Sequence, residues 1–351
     1  MGEPEVVVAV VDVGGTSMKG ALVDAEGRVR ASRRKIVKDI PPGGLVAAVV
    51  AVFTDLVAAA KSAGTPAVAL GLAVPGLVDE RHGVGVLSML VGWRDVPFVK
   101  VLEGAFGLPV TFSHDVSAGA YAQARRGPAR GHADWLFLAL GTGLGSTFVL
   151  SSRPYRGSGG TGGELAHVVC EESGPLCRCG KRGCLEMVSS AEAISTLYAQ
   201  ASQSSNPSDG DPGSGAVSAA EVVARARHGD PAAVAVWDRA IAGLATVVGG
   251  YVESLNPSVV IVGGGLAEAG AQLLDPFSQQ LAERVTFARP APQVHPAAFG
   301  DLAAVHGVAI RAHEQLASGI GGLSVPFDSS TSFDQPDRSG SPDGPTREVQ
   351  R

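Results

Sequence analysis

Uninterrupted apolar runs alternate with short glycine-bearing polar turns along most of this chain. Residues 6–11 are all valine or alanine, which predicts a strand covered on both faces. A turn at Asp12-Val13-Gly14-Gly15-Thr16 leads to a return strand over 20–24 and a third strand over 29–37. The apolar spacing of 45–61 predicts an amphipathic helix. Residues 67–74 read as another buried strand, closed by Pro75-Gly76. A short helix over 99–106, a strand over 109–112 and an alanine-rich helix over 117–123 follow. The plan then starts again: strand 135–140, a turn at Gly141-Thr142-Gly143-Leu144-Gly145, and return strand 146–150. Such internal similarity predicts a duplicated α/β organisation. Helices are expected over 191–200, 219–227, 232–255 and 302–316, and strand 259–262 runs into Gly263-Gly264-Gly265.

Two stretches break the pattern. Residues 202–215 and the tail from 318 to 351 are dense in Ser, Pro, Gly and Asp. They hold too few apolar side chains to offset their ordering entropy, so both are expected to be disordered, and the tail dispensable for catalysis.

Composition narrows the classes. The chain has 351 residues, enough for about two domains. Lys+Arg is 28 against Asp+Glu 34, a net charge of −6 with no basic block, so neither nucleic acid nor an anionic membrane is expected as a partner. No uninterrupted apolar run reaches the ~18 residues of a membrane span. The start, Met1-Gly2-Glu3-Pro4-Glu5, is acidic where a secretory leader would be basic, so the expected location is cytoplasmic. Glycine stands at 47 residues, and an ordinary usage of ~7% would give about 25. The excess clusters after apolar strands, which suits backbone loops that close on a ligand.

The turns and clusters carry candidate chemistry. Asp12, Gly14, Gly15 and Thr16 present backbone N–H groups, a hydroxyl and a carboxylate that can hold Mg²⁺, although an ordinary hairpin turn would use the same residues. A second such turn at Gly141, Thr142 and Gly143 favours a pair of phosphate clamps, and no Gly-Lys-Ser/Thr follows to make a Walker loop. Gly263-Gly264-Gly265 suits packing against a base or ribose, or any tight strand-to-helix turn. His167, Cys177, Cys179 and Cys184 form a Cys₃His set fit for a structural Zn²⁺ with four protein ligands, and Gly174, Gly180 and Gly183 supply its turns. Cys170 is left over as a buried free thiol. Glu164 and Glu186 flank the knuckle; they are either acceptors for a polyol or solvated acids. Asp115 is either a helix N-cap or a general base for an attacking alcohol. His114 beside it is a substrate donor or a surface residue.

Together these residues resemble the ROK family of bacterial sugar kinases and sugar-responsive repressors, from about 6 to 316. Asp12-Val13-Gly14-Gly15-Thr16-Ser17-Met18-Lys19 looks like its first phosphate motif, and Leu140-Gly141-Thr142-Gly143-Leu144-Gly145 like its second. Gly163-Glu164-Leu165-Ala166-His167, followed by Cys177-Arg178-Cys179-Gly180-Lys181-Arg182-Gly183-Cys184-Leu185-Glu186, looks like its zinc-containing signature. Leu255-Asn256-Pro257 running into Gly263-Gly264-Gly265 resembles the adenosine end, and Gly92-Trp93-Arg94-Asp95-Val96-Pro97 is typical of the glucokinase-like branch.

The resemblance implies an α/β actin-like ATPase (ribonuclease H-like) fold: two duplicated α/β domains around a cleft. These would be a small domain of residues 1–114 completed by helix 302–317, and a large one of 115–301 carrying the knuckle at 164–186. It also implies ATP with Mg²⁺, bound by Asp12, Gly14, Gly15, Thr16, Lys19, Gly141, Thr142, Gly143, Gly264 and Gly265. Asp115 would be the catalytic base, and Glu164, His167 and Glu186, with His114, would hold the sugar. His167 would then serve zinc through one ring nitrogen and sugar through the other. Two departures bear on the sugar: His114 and Leu90 stand where the family usually has Asn. A lost polar contact can shift specificity by orders of magnitude.

The expected function is therefore an ATP-dependent hexose 6-kinase, with glucose as the default sugar. Another hexose, an N-acetylhexosamine, or a non-catalytic sugar sensor of the same fold are the alternatives. A repressor would need a DNA-binding domain ahead of Asp12, where only eleven residues precede it. The intact knuckle resembles the ATP-using rather than the polyphosphate-using branch. A homo-oligomer, dimer or tetramer, is expected from the family.

Overall fold

The computed structural model describes residues 6–41, 43–158, 160–205, 217–287 and 290–319. In chain order the first half contains β1 (Val7–Val13), β2 (Ser17–Asp24), β3 (Val29–Ile36), α1 (Leu45–Ser62) and β4 (Ala67–Val74). It continues with β5 (Leu77–Asp79), β6 (Val84–Ser88), β7 (Trp93–Val96), α2 (Phe98–Phe106), β8 (Val110–His114) and α3 (Asp115–Arg126). The second half holds β9 (Trp135–Leu140), β10 (Leu144–Leu150), β11 (Arg153–Pro154), α4 (Glu186–Ser189), α5 (Ala191–Ser205), α6 (Ala219–Arg227) and α7 (Pro231–Leu255). It ends with β12 (Val259–Gly263), α8 (Ala271–Arg284), β13 (Gln293–Pro296) and α9 (Ala303–Ser318).

The repeat seen in the hydrophobic pattern is a repeat of topology. One sheet runs β3-β2-β1-β4-β8 and the other β11-β10-β9-β12-β13. In each, the first strand of an antiparallel hairpin takes a parallel neighbour, which in turn takes a second parallel strand. This is the duplicated plan of the actin-like ATPase fold. Strands β5-β6-β7 form a small separate sheet.

Both faces of the central strands are covered, as continuous apolar runs require. On β1, Val7, Ala9 and Val11 pack with Phe53 and Leu56 of α1, while Val8 and Val10 pack with Val305 and Val308 of α9. On the second sheet, Leu136, Leu138 and Val260 face α5–α8, while Trp135, Phe137 and Ile261 face Ala120 of α3. α9 returns across the first sheet and lies directly on α3. The two helices approach so closely that a Cβ on Gly307 would fall 1.7 Å from the Ala118 carbonyl oxygen. Two helices, α1 and α7, are long and apolar enough to cross a membrane by length and composition. In this structure their buried apolar residues belong to the two cores, α1 against the first sheet and α7 mainly among α4, α5, α6 and α8.

Several expectations need correction. Asp12 is not in a turn: β1 runs on to Val13, and Asp12 pairs with Lys19. Residues 202–205 belong to α5; the rest of the expected 202–215 loop, apart from that, and the tail beyond 319 lie outside the described residues. Helix α3 begins at Asp115 rather than 117. The small sheet, β11, β13, α4 and α8 carry no strong periodic signal: β13 is the polar edge segment Gln-Val-His-Pro, and α8 has Pro276 within it.

Candidate active site

The carboxyl ends of the parallel strands of both sheets open into one cleft of about 1260 Å³. Ligands of α/β sheets bind at such ends, where the chain leaves the strands and its backbone groups are not used by the ladder. Asp12, Gly14, Gly15, Thr16, Lys19, His114, Asp115, Gly141, Thr142, Gly143, Glu164, His167, Glu186, Gly264 and Gly265 all line it. The fold thus brings together every predicted site residue except the three knuckle cysteines.

The two glycine turns meet head-on. The Thr16 and Thr142 hydroxyl oxygens are 2.7 Å apart although the residues are 126 positions apart in sequence. The Gly14 N–H donates to the Ser17 carbonyl (3.0 Å) and the Gly141 N–H to the Gly143 carbonyl (2.9 Å). Those two N–H groups close their own turns, so they are not the phosphate donors that the sequence suggested. Lys19 lies 3.9 Å from the Asp12 carboxylate and donates to the Asp301 carbonyl at 2.6 Å, just ahead of α9. Asp12 is buried, and its carboxyl is raised to about 7. Burial is the main cause, the negative charges of Asp115 and Asp301 add to it, and Lys19 opposes. Such a carboxylate, short of positive charge, suits a divalent cation.

Asp115 is the first residue of α3, and the N-cap position is His114. The N-cap reading of Asp115 therefore falls; it lies within the first turn, where the helix dipole favours a carboxylate. Its Oδ1 accepts from the Val116 N–H at 2.7 Å, and His114 Nε2 lies 3.3 Å from the same oxygen. His114 lines the cleft, so it is not merely a surface residue. Glu164 has its carboxyl raised, chiefly by burial, with His114, the Ala166 N–H and His167 pulling the other way. Glu186 opens α4, and the Leu144 N–H donates to its Oε1 at 3.4 Å, so it borders the second glycine turn. Leu90 packs over Gly15: a Cβ there would fall 2.9 Å from a Leu90 methyl.

His167, Cys177, Cys179 and Cys184 offer four ligand atoms all within 4.8 Å of one another. His167 Nδ1 is 3.5 Å from the Cys177 sulfur, and the Cys179 and Cys184 sulfurs are 3.5 Å apart. A Cys₃His set this compact fits tetrahedral zinc. The Cys177 N–H donates to the Lys181 carbonyl (2.8 Å) and the Gly180 N–H to the Cys177 carbonyl (2.9 Å), forming the turn. Gly183 has φ +65°, and a Cβ on it would fall 1.5 Å from the Glu171 carbonyl oxygen, so only glycine fits. With Nδ1 turned to the sulfurs, His167 still borders the cleft. Cys170 is half-buried rather than buried, its thiol raised to about 11, chiefly by burial and then by Glu171.

Sequence reasoning missed Glu80, Arg156, Arg311 and Asp301. Asp79-Glu80-Arg81-His82 reads as a solvated charge run. The available signal was Arg311, a lone cation in the apolar stretch Val308-Ala309-Ile310-Arg311-Ala312.

The chain is similar to several characterised proteins. It is 32% identical over 288 residues to a glucokinase of Thermotoga maritima, covering 80% of this chain and 89% of that protein. It is 30% identical over 321 residues to a glucokinase of Streptomyces coelicolor, covering 87% and 96% respectively. Its structure superposes with a TM-score of 0.75 on the crystal structure of a ROK family glucokinase from Streptomyces griseus in complex with glucose and AMPPNP. That pair is 29% identical over 86% of this chain and 98% of the other. The sequence pattern of the ROK family matches residues 8–315, nearly all of the described fold, and the chain belongs to that family.

Proposed function

We propose that this chain is an ATP-dependent hexose kinase that phosphorylates the 6-hydroxyl of its sugar, with glucose as first substrate. The observation that carries this reading is the convergence of Asp115 with Asp12 and the Thr16–Thr142 pair in one cleft between the duplicated halves. The similarity to glucokinases over most of the chain supports it.

In this reading Asp115 accepts the proton of the 6-hydroxyl as the oxygen attacks the γ-phosphate of ATP. The hydroxyls of Thr16 and Thr142, with backbone N–H groups of Gly15 and Gly143, orient the phosphates, and Lys19 adds positive charge. Mg²⁺, when bound with the nucleotide, neutralises charge on the phosphate oxygens, and Asp12 is the residue that would hold it. Gly264 and Gly265 border the nucleoside end. Glu164 and Glu186 accept from sugar hydroxyls, and His114 and His167 complete the polar lining. Zinc on His167, Cys177, Cys179 and Cys184 would supply no chemistry to the reaction; it would lock the loop that carries both glutamates. Residues 1–114 with 302–317, and 115–301, act as two lobes whose closure excludes water from the phosphoryl group. A cytoplasmic location follows from the use of ATP, and a homodimer or homotetramer is the proposed assembly.

Leu90 and His114 favour a second reading of the sugar. Leu90 offers no hydrogen bond where it packs over Gly15, which leaves another hexose or an N-acetylhexosamine as substrate. ADP release measured over glucose, other hexoses, aminosugars and ketoses tests both readings. Turnover with one class identifies the sugar. Silence across the whole panel refutes the kinase and favours a non-catalytic sensor. Asp115→Asn is expected to abolish turnover while sugar still binds; near-normal turnover would remove Asp115 as base.

A further inference from the structure

Beside the cleft lies a largely buried carboxylate, its side chain 12% exposed, that the reaction above does not use. Glu80 follows β5 in the first half. Its Oε1 accepts from the Ser113 hydroxyl and from the His114 N–H, both at 2.9 Å. One oxygen thus holds the two residues immediately ahead of Asp115. Its Oε2 faces two guanidinium groups, Arg156 at 2.9 Å and Arg311 at 3.4 Å. Arg311 comes from α9, is 7% exposed, and also donates to the Ser113 hydroxyl at 2.9 Å. Arg156 comes from the opposite half, just after β11, and lines the cleft on the side of Gly160 and Gly162. Burial alone would raise the Glu80 carboxyl; Arg311, Arg156 and the two hydrogen bonds outweigh it and hold the group at about 2. Glu80 is therefore a fixed anion at any working pH. It joins α9, the β8–α3 corner and the rim of the second half at a single point.

We infer that Glu80 is a positioning residue for Asp115, and that its ion pair with Arg156 ties the two halves together on the sugar side of the cleft. The inference rests on the reading of Asp115 as the base. A base must sit within hydrogen-bond reach of the proton it takes, and Asp115 sits at the corner where β8 ends and α3 begins. Glu80 anchors that corner through the His114 amide and the Ser113 hydroxyl. Arg156 can reach Glu80 only when the halves are close, so the pair favours the closed cleft.

The test is Glu80→Gln in the full-length protein. The amide keeps the size but presents NH₂ to two guanidiniums, so the side chain turns its oxygen toward them and releases the His114 N–H. The expected fall in kcat is about 10- to 100-fold at unchanged KM for ATP. Hydrogen exchange at the His114 amide should rise about tenfold while β4 and α7 keep their protection. Arg156→Gln alone should raise the sugar KM about two- to fivefold, as for a half-exposed ion pair, and add nothing further in the Glu80→Gln background. A lower melting temperature with unchanged kcat and unchanged His114 exchange would mean a structural role and overturn the proposal. Additive effects of the two substitutions would overturn the tie. If Glu80→Gln does not fold, Arg156→Gln decides the tie: an unchanged sugar KM overturns it. A wild-type protein silent on every sugar would sink the kinase reading instead, and His114 exchange would still decide whether Glu80 holds the corner.

Discussion

Gly183→Ala tests whether the knuckle holds the sugar side of the cleft in place. The new Cβ would sit 1.5 Å from the Glu171 carbonyl oxygen, at φ +65°. A Cβ and an oxygen need more than twice that separation, so residues 171 and 183 must part. Parting them removes the Cys170 N–H bond to the Gly183 carbonyl (2.9 Å) and the longer one from Glu171 (3.4 Å). At about 1 kcal/mol per hydrogen bond, with 1–2 kcal/mol for alanine in the left-handed region, the loss is about 3 kcal/mol. For a protein of this size that is a fall in Tm of roughly 5 °C. Gly180→Ala is the control. Gly180 also has a positive φ (+89°), but its Cβ would meet nothing within 4 Å, so only the backbone cost of about 1–2 kcal/mol remains. Differential scanning calorimetry, zinc content by atomic absorption and sugar KM would be compared across the pair. Gly183→Ala should lose zinc and sugar affinity together, while Gly180→Ala keeps both. Equal effects of the two substitutions would refute the steric argument.

Three further outcomes are expected. Stripping zinc with a strong chelator should raise the sugar KM far more than the ATP KM, because the knuckle carries His167 and adjoins Glu164 and Glu186, and reaches the glycine turns only through Glu186 beside Gly143 and Leu144; equal changes in both constants would contradict this. Acid unfolding should depend on Glu80: its carboxyl lies at about 2 against an ordinary 4.5, so its contribution is complete above about 4.5 and disappears as pH falls through about 2. That contribution is about 3 kcal/mol, and Glu80→Gln should be correspondingly less pH-dependent across this window than the wild type, as followed by circular dichroism. Leu90→Asn should widen or redirect the choice of sugar in the ADP-release panel without changing the ATP KM; an unchanged sugar profile would remove Leu90 from the specificity argument.

How much was legible depends on how local the signal is. Residues 6–11 and 67–74 are buried on both faces, and a strand so placed must be apolar at every position, so both are plain in the sequence. The duplicated turns and the Cys₃His spacing are equally local, because a hairpin or a knuckle is built from neighbours in the chain. The edge strand β13 and the short strands of the small sheet are held by pairing partners rather than by their own pattern, and they were not legible. Asp115 illustrates the boundary. Its neighbourhood allowed an N-cap or a base, and only the start of the helix, with His114 in the cap position, removes the N-cap reading.

The sequence by itself therefore determined the central buried strands, the two glycine turns, the Cys₃His spacing and the family, since each is written in contiguous residues whose chemistry is local. Only the tertiary structure decided that Thr16 meets Thr142, that Leu90 packs over Gly15, and that Glu80 stands between Arg156 and Arg311. The reason is physical. A charge costs several kcal/mol to bury unless it is paired, and its partner can come from anywhere in the chain. Glu80 and Arg311 are 231 positions apart, so neither residue announces the pair; it exists because α9 returns across the first sheet.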